Sequence, residues 1–260
     1  MTRFALLLAI VAGTTGCAFL TGAYPCEADR HCPGTGQCVD GACVDDEGGS
    51  RREGEGEGEG EGEGEGEGEA PLCTGEQVVD GDRVVANPGD ASFLDGRCAT
   101  LTGDLEVGGA NVVDVDEARF LVVIGDDLIL SGTRLTDSDD FLGLEVIGDE
   151  VRVEGNGQLT SLRLQRLGRG GRLTIRGNAL LGSIELPVLT SLTGRRTDPA
   201  IVIENNPRLE DLVTPALRDV AGDIVVRGNP RLCTRTITTL VDGLVGFGGS
   251  VDQRGGAPCP

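Results

Sequence analysis

At 260 residues with 38% hydrophobic content, six Phe, one Tyr and no Trp, the chain can bury one core of moderate size, built from Leu, Val and Ile, plus appendages. All 22 basic residues are Arg and His31 is the only histidine, which excludes lysine Schiff-base chemistry, a histidine triad and a multi-histidine zinc site within one chain. A net charge of −21 argues against a nucleic-acid partner, since phosphate contacts need clustered basic side chains.

The N-terminus reads as an export signal: Arg3 is followed by an apolar stretch from Phe4 to Ala12, then Thr14-Thr15-Gly16-Cys17. That stretch is too short to span a bilayer. Its ending resembles a bacterial lipobox, with Thr14 where Leu is usual. The resemblance implies that residues 1–16 are a lipoprotein signal peptide, that Cys17 is acylated, and that the chain is surface-exposed on a Gram-negative outer membrane, because Ala18 replaces the retention Asp. Two or three acyl chains anchor stably, at about 0.8 kcal/mol per buried methylene. An unlipidated secreted product is the alternative.

Nine cysteines would leave one unpaired in an oxidising compartment, and assigning Cys17 to lipid leaves eight. Cys26, Cys32, Cys38 and Cys43 lie close together among Pro, Gly and Asp. Residues 17–50 therefore read as a lipidated cysteine plus a small two-disulfide module of open connectivity. Zinc is disfavoured there by the lack of a Cys-x-x-Cys knuckle and by export. Residues 51–70 hold the alternating Glu-Gly run Glu53 to Glu69. Its nine carboxylates repel, it has no apolar side chains to bury, and Gly raises its entropy, so an extended disordered linker of at most about 60 Å is expected.

Residues 71–260 carry a repeat. Leu105-Glu106-Val107, Leu128-Ile129-Leu130, Val151-Arg152-Val153, Leu173-Thr174-Ile175, Ile201-Val202-Ile203 and Ile224-Val225-Val226 start 23, 23, 22, 28 and 23 residues apart. Such a period indicates a solenoid whose repeats bury their apolar faces only by stacking. Counting the first residue as position 0, positions 0 and 2 are aliphatic and share one strand face. Asn156, Asn178, Asn206 and Asn229 occupy position 5, and Leu159, Leu181, Leu209 and Leu232 position 8. An inward Asn at a corner supplies both a donor and an acceptor to backbone groups leaving the sheet, and Asn and Gly tolerate the left-handed backbone of a corner. The 28-residue interval contains Gly194 to Pro199, a polar loop.

Position 3 points outward and carries Glu154, Arg176, Glu204 and Arg227, which stacking would join in an ion ladder worth about 0.2–1 kcal/mol per pair. The rival reading makes Glu154 and Glu204 an inverting glycosidase pair, at about 10 Å against the roughly 6.5–9.5 Å such a pair needs. Cys73–Cys98 and Cys233–Cys259 are expected to staple caps at the two ends of the solenoid. Ile237, Leu240, Val241 and Leu244 predict a short amphipathic C-terminal helix over the last coil. Neither Asp114-Val115-Asp116-Glu117 nor Asp137-Ser138-Asp139-Asp140 matches a calcium loop, so no metal or other cofactor is assigned. Charge is uneven: residues 76–150 carry 18 acidic and 4 basic groups, and 151–260 carry 10 and 14. Such a dipole could steer a charged partner.

The phrases Ile203-Glu204-Asn205-Asn206-Pro207-Arg208-Leu209 and Val226-Arg227-Gly228-Asn229-Pro230-Arg231-Leu232-Cys233 resemble the receptor L domain. The resemblance spans roughly residues 73–259 and is most specific at 201–233, whereas Ala110 and Thr133 stand where Asn is expected. It implies an all-β solenoid, a right-handed parallel β-helix of about six coils, with a binding role and no catalytic residues. Ordinary leucine-rich repeats are the alternative fold. Leu162-x-Leu164 and Ile184-x-Leu186, where those would have a helix, favour the β-helix. The expected function is a lipid-anchored surface module binding an extracellular protein or glycan. A β-helix polysaccharide enzyme and a purely structural module are the rivals.

Overall fold

The computed structural model describes residues 37–39, 42–44, 73–194 and 198–259. The export signal, Cys17, Cys26, Cys32, the Glu-Gly run and Arg195 to Thr197 lie outside them. Two compact units divide the chain, residues 1–66 and 67–260. In the first, strands Gln37–Val39 and Ala42–Val44 pair antiparallel, with Cys38 opposite Cys43 along the backbone.

The second unit is a parallel β-solenoid. Sheet A stacks Arg83–Val85, Leu105–Gly108, Leu128–Ser131, Glu150–Glu154, Arg172–Arg176, Ile201–Glu204, Ile224–Arg227 and Val251–Arg254. Sheet B stacks eight strands in the same order, from Glu76–Val79 to Gly246–Phe247. Sheet C has three, Ser161–Arg163, Ser183–Glu185 and Asp211–Val213. The six repeat phrases stand in one register: Leu105, Leu128, Val151, Leu173, Ile201 and Ile224 are consecutive partners. Their position 0 and 2 side chains are all buried, as are Leu167, Leu189 and Leu217 at a further corner. Leu162, Ile184, Leu164 and Leu186 form the inner side of sheet C and the corner after it, so a strand fills the place a leucine-rich repeat gives to a helix.

The described residues form eight coils, against the six expected. The extra ones are terminal, where only one neighbour enforces the apolar pattern. The first puts Arg83 at position 0, and its guanidinium lies 5.6 Å from the Phe93 ring centre. Phe93 is held in turn by the Gln77 side-chain N–H to its carbonyl at 2.8 Å. The last coil has Val251 exposed and Gln253 at position 2. Disulfides Cys73–Cys98 and Cys233–Cys259 tie these ends. Helix α1, Thr234–Asp242, follows the Ile224–Arg227 strand. It buries Ile237 and packs Leu240 and Val241 on the core, and it stops at Gly243, so Leu244 packs from beyond its end. The two coils before sheet C replace it with single 3-10 turns, Asp116–Phe120 and Asp139–Phe141, the second burying Phe141.

Two residues divide the work at the corner after sheet A. Position 4 takes the left-handed backbone: Gly155, Gly177 and Gly228 have φ of 65, 63 and 66°, and Asn205, with φ 57°, is the one non-glycine with positive φ among the described residues. Position 5 takes the hydrogen bonds. Asn156 accepts at Oδ1 from the Thr133 N–H (2.9 Å), Asn178 from the Asn156 N–H (2.9 Å), Asn206 from the Asn178 N–H (3.0 Å) and Asn229 from the Asn206 N–H (2.9 Å). Each side-chain Nδ2 donates to a buried carbonyl of the preceding coil, that of Leu130, Val153, Ile175 or Ile203. Thr133 ends the column because it supplies a backbone and a hydroxyl donor to Asn156.

Candidate functional site

The outer face of sheet A carries the ion ladder. Parallel register sets Glu154 beside Arg176, Arg176 beside Glu204 and Glu204 beside Arg227. Arg176 reaches Glu154 at 3.7 Å and Glu204 at 3.1 Å, and Arg227 reaches Glu204 at 3.8 Å. Asp252 extends the ladder by pairing with both Arg227 and Arg254. Glu154 and Glu204 therefore share a guanidinium instead of facing each other across a gap, and a glycosidase pair needs the gap.

A second charged cluster lies at the start of the Glu150–Glu154 strand. Glu150 is 2% exposed and bonds Arg152 and Arg172, the latter at 3.1 Å. Arg172 also faces Asp149 at 3.6 Å and Asp198 at 3.7 Å. Burial alone would raise the Glu150 carboxyl. Hydrogen bonds from Thr174 and Arg152 and the two guanidinium charges outweigh that and hold it below the ordinary glutamate range. The cluster pins the segment at Asp198 to sheet A.

The corner between sheets B and A carries two columns that the repeat phrases did not reveal. Asp82, Asp104 and Asp127 each accept the backbone N–H of the next coil, from Asp104 (3.0 Å), Asp127 (2.8 Å) and Glu150 (2.9 Å). Burial, with the charges of Asp104, Asp149 and Glu150 in support, raises the Asp127 carboxyl against its hydrogen bond. Beside them runs a glycine column, in which a Cβ on Gly125, Gly148 or Gly171 would meet a backbone oxygen of the preceding coil at 2.2, 1.8 or 2.1 Å. Only glycine permits that approach. The 23-residue spacing of Gly125, Gly148, Gly171 and Gly194 was the available signal. The acidic segments 114–117 and 137–140 meet where Asp140 accepts the Val115 N–H at 2.8 Å. Burial, then repulsion from Asp116, Asp114 and Asp137, raises its carboxyl. Among the described residues no group of three or more His, Cys, Asp and Glu is arranged to hold a metal ion.

An open groove of about 580 Å³ lies outside sheet B. Val146, Arg169 and Ser191 are consecutive outward residues of that sheet. Arg166 and Val188 come from the corner before it, and Thr190 and Glu145 also line the groove. None of these residues stands out in the sequence, because the sheet B strands here are two residues long and their outward positions hold no constant residue type.

The family model for the receptor L domain matches residues 169–242. The match begins at Arg169 in the groove and ends with α1, so it covers the coils in which the Asn column and ion ladder are most regular. No curated protein and no solved structure matches the chain. The matched region thus contains Arg169, Val188, Thr190 and Ser191 of the groove, while Glu145, Val146, Gln165, Arg166 and Gly168 lie before it.

Proposed function

We propose that this is a lipid-anchored cell-envelope protein whose solenoid binds an extracellular protein or glycan without chemical turnover. The observation that carries the reading is the receptor L match over residues 169–242, since that domain is a ligand-binding type of module. The charged face supports it: the carboxylates there are engaged by arginines, and the groove outside sheet B is open to the surface, not an enclosed cavity. The anchor rests on Cys17 and the apolar stretch before it, and the Glu-Gly run suits a spacer between membrane and solenoid.

Proximity crosslinking on intact producing cells is the direct test: a reproducible extracellular partner is expected, and labelling no different from a secreted control protein overturns the reading. Labelling with a fatty acid should mark the wild type and not Cys17→Ser; equal labelling removes the anchor. A panel of polysaccharides incubated with the protein should stay intact, and depolymerisation that stops on Glu154→Gln or Glu204→Gln would establish the enzymatic rival.

A further inference from the structure

We propose that the chain forms a two-fold dimer through the open edge of its last coil, by antiparallel pairing of the strand Val251–Arg254 with the same strand of a second copy. Among the described residues this strand is the last of sheet A, and only its edge towards Ile224–Arg227 is paired. On that edge the carbonyls of Ser250 and Arg254 accept from the Ile224 and Gly228 N–H groups at 2.9 and 3.1 Å. Backbone groups alternate in direction along a strand, so the N–H and C=O of Val251 and Gln253 point out of the sheet edge. Such a row is a template for another strand. The core is open at the same place. Position 0 is at most 2% exposed from Leu105 to Ile224, whereas Val251 is 41% exposed, and Val245 on the same coil is 84% exposed.

Charge selects a second copy as the occupant and fixes the register. With Gln253 on the two-fold axis, Asp252 of each copy stands opposite Arg254 of the other. That pair is of the kind without mutual backbone bonds, in which side chains approach most closely, while Gln253 and its counterpart exchange two backbone bonds. A shift of one residue sets inward side chains against outward ones, and a shift of two sets Asp252 against Asp252 or Arg254 against Arg254. In the single chain Arg254, 73% exposed, turns back onto Asp252 of its own strand at 2.8 Å, and Asp252 also holds Arg227. The dimer exchanges the Arg254 contact for one across the axis, and the four side chains alternate in sign, so no charge loses its partner. The other end of the solenoid does not compete. The first coil, residues 76–97, carries five acidic and two basic groups and would repel its copy, whereas the last, residues 246–259, carries one of each. Inward Val79 and Val85 of the first coil are already buried. A two-fold contact closes at two copies, whereas head-to-tail stacking would run on as a filament.

The test is sedimentation velocity of the full mature chain carrying Cys17→Ser, which removes any acyl chain as a cause of association, over a hundredfold range of concentration. A monomer–dimer equilibrium is expected, with no larger species. Arg254→Asp sets like charges opposite each other and should weaken the dimer at least tenfold. Adding Asp252→Arg to it should restore the dimer, because the reversed pair is complementary again. Gln253→Pro removes an N–H that points out of the edge, which a proline at an edge position tolerates, and should also weaken the dimer at least tenfold. Melting curves identify a variant that has failed to fold. Amide exchange of Val251 and Gln253 in the chain without these edge substitutions, which should slow as concentration rises, then decides. The inference is overturned by a monomer at every concentration, by a ladder of larger oligomers, by Arg254→Asp that associates as strongly as its parent, or by a folded double variant as weak as the single one. A monomer would leave the binding reading untouched, since neither the ion ladder nor the groove outside sheet B depends on a second copy.

Discussion

Asn206→Ala cuts the buried amide column at its middle, and the cost follows from the bonds it removes. Oδ1 of Asn206 accepts from the N–H of Asn178 at 3.0 Å and from its Nδ2 at 3.1 Å. Nδ2 of Asn206 donates to the carbonyls of Ile175 at 3.1 Å and Glu204 at 3.2 Å. Alanine keeps the main-chain bond to Asn229 but strips those partners from the Asn178 N–H and the Ile175 carbonyl, with both residues fully buried. A buried group left unsatisfied costs about 1–3 kcal/mol, so two cost about 2–6 kcal/mol, and about 4 kcal/mol is the expected loss. Because each coil is stabilised by its neighbours alone, the damage weakens coupling between the two coils that meet there. Urea unfolding followed by circular dichroism measures it. The control is Arg208→Ala, two residues on and exposed, which should stay within about 0.5 kcal/mol of wild type. If Asn206→Ala matches that control, the column is not what holds the corner, and water or a local rearrangement replaces it without penalty.

Three further outcomes rest on other contacts of the solenoid. Gly148→Ala would place a Cβ 1.8 Å from the Gly125 carbonyl oxygen and should cost several kcal/mol or prevent folding, whereas Gly157→Ala meets nothing within 4 Å and should be neutral or slightly stabilising in the same thermal melt. Arg176→Glu removes two ion pairs and stacks three carboxylates, so it should lower stability by about 1–2 kcal/mol at low salt; a loss that does not shrink in 0.5 M salt would show that the ladder is not electrostatic. The raised carboxyls of Asp127 and Asp140 bind protons more tightly folded than unfolded, so their contribution is fully present below the unfolded value and is lost as pH rises through the folded one. Stability should therefore increase as pH falls from 7 towards the carboxylate range. It should turn down on further acidification as the depressed carboxyl of Glu150 is protonated. Asp140→Asn, which keeps an acceptor for the Val115 N–H, should be more stable than wild type at pH 7 and show a smaller rise; an unchanged profile would refute the assignment.

The inward half of the solenoid was legible because each inward residue is constrained by the copies above and below it. Position 0 aliphatics, the Asn at position 5 and the corner leucines at 167, 189 and 217 recur at one spacing because a substitution leaves a cavity or an orphaned N–H. The terminal coils depart from the pattern for the same reason. With a neighbour on one side only, Arg83 can fold over Phe93 and Gln253 can stand where Val or Ile stands elsewhere. The glycine column does not stand out in the sequence because glycine is common here, 43 of 260 residues, and its 23-residue spacing is hidden among the others.

Outward positions repeat only where stacking itself imposes a rule. On sheet A, side chains about 4.8 Å apart interact directly, so Glu154, Arg176, Glu204 and Arg227 alternate in sign and could be read as a ladder. On sheet B the outward column Val146, Arg169, Ser191, Asp219 follows no such rule. A column that stacking leaves unconstrained can instead answer to a ligand, and this one borders an open groove. The binding surface is accordingly sought where the repeat breaks down on the outside of a coil that is regular within. The outward residues of sheet B meet that description, whereas Glu154 and Glu204, whose charges are matched by their neighbours, do not.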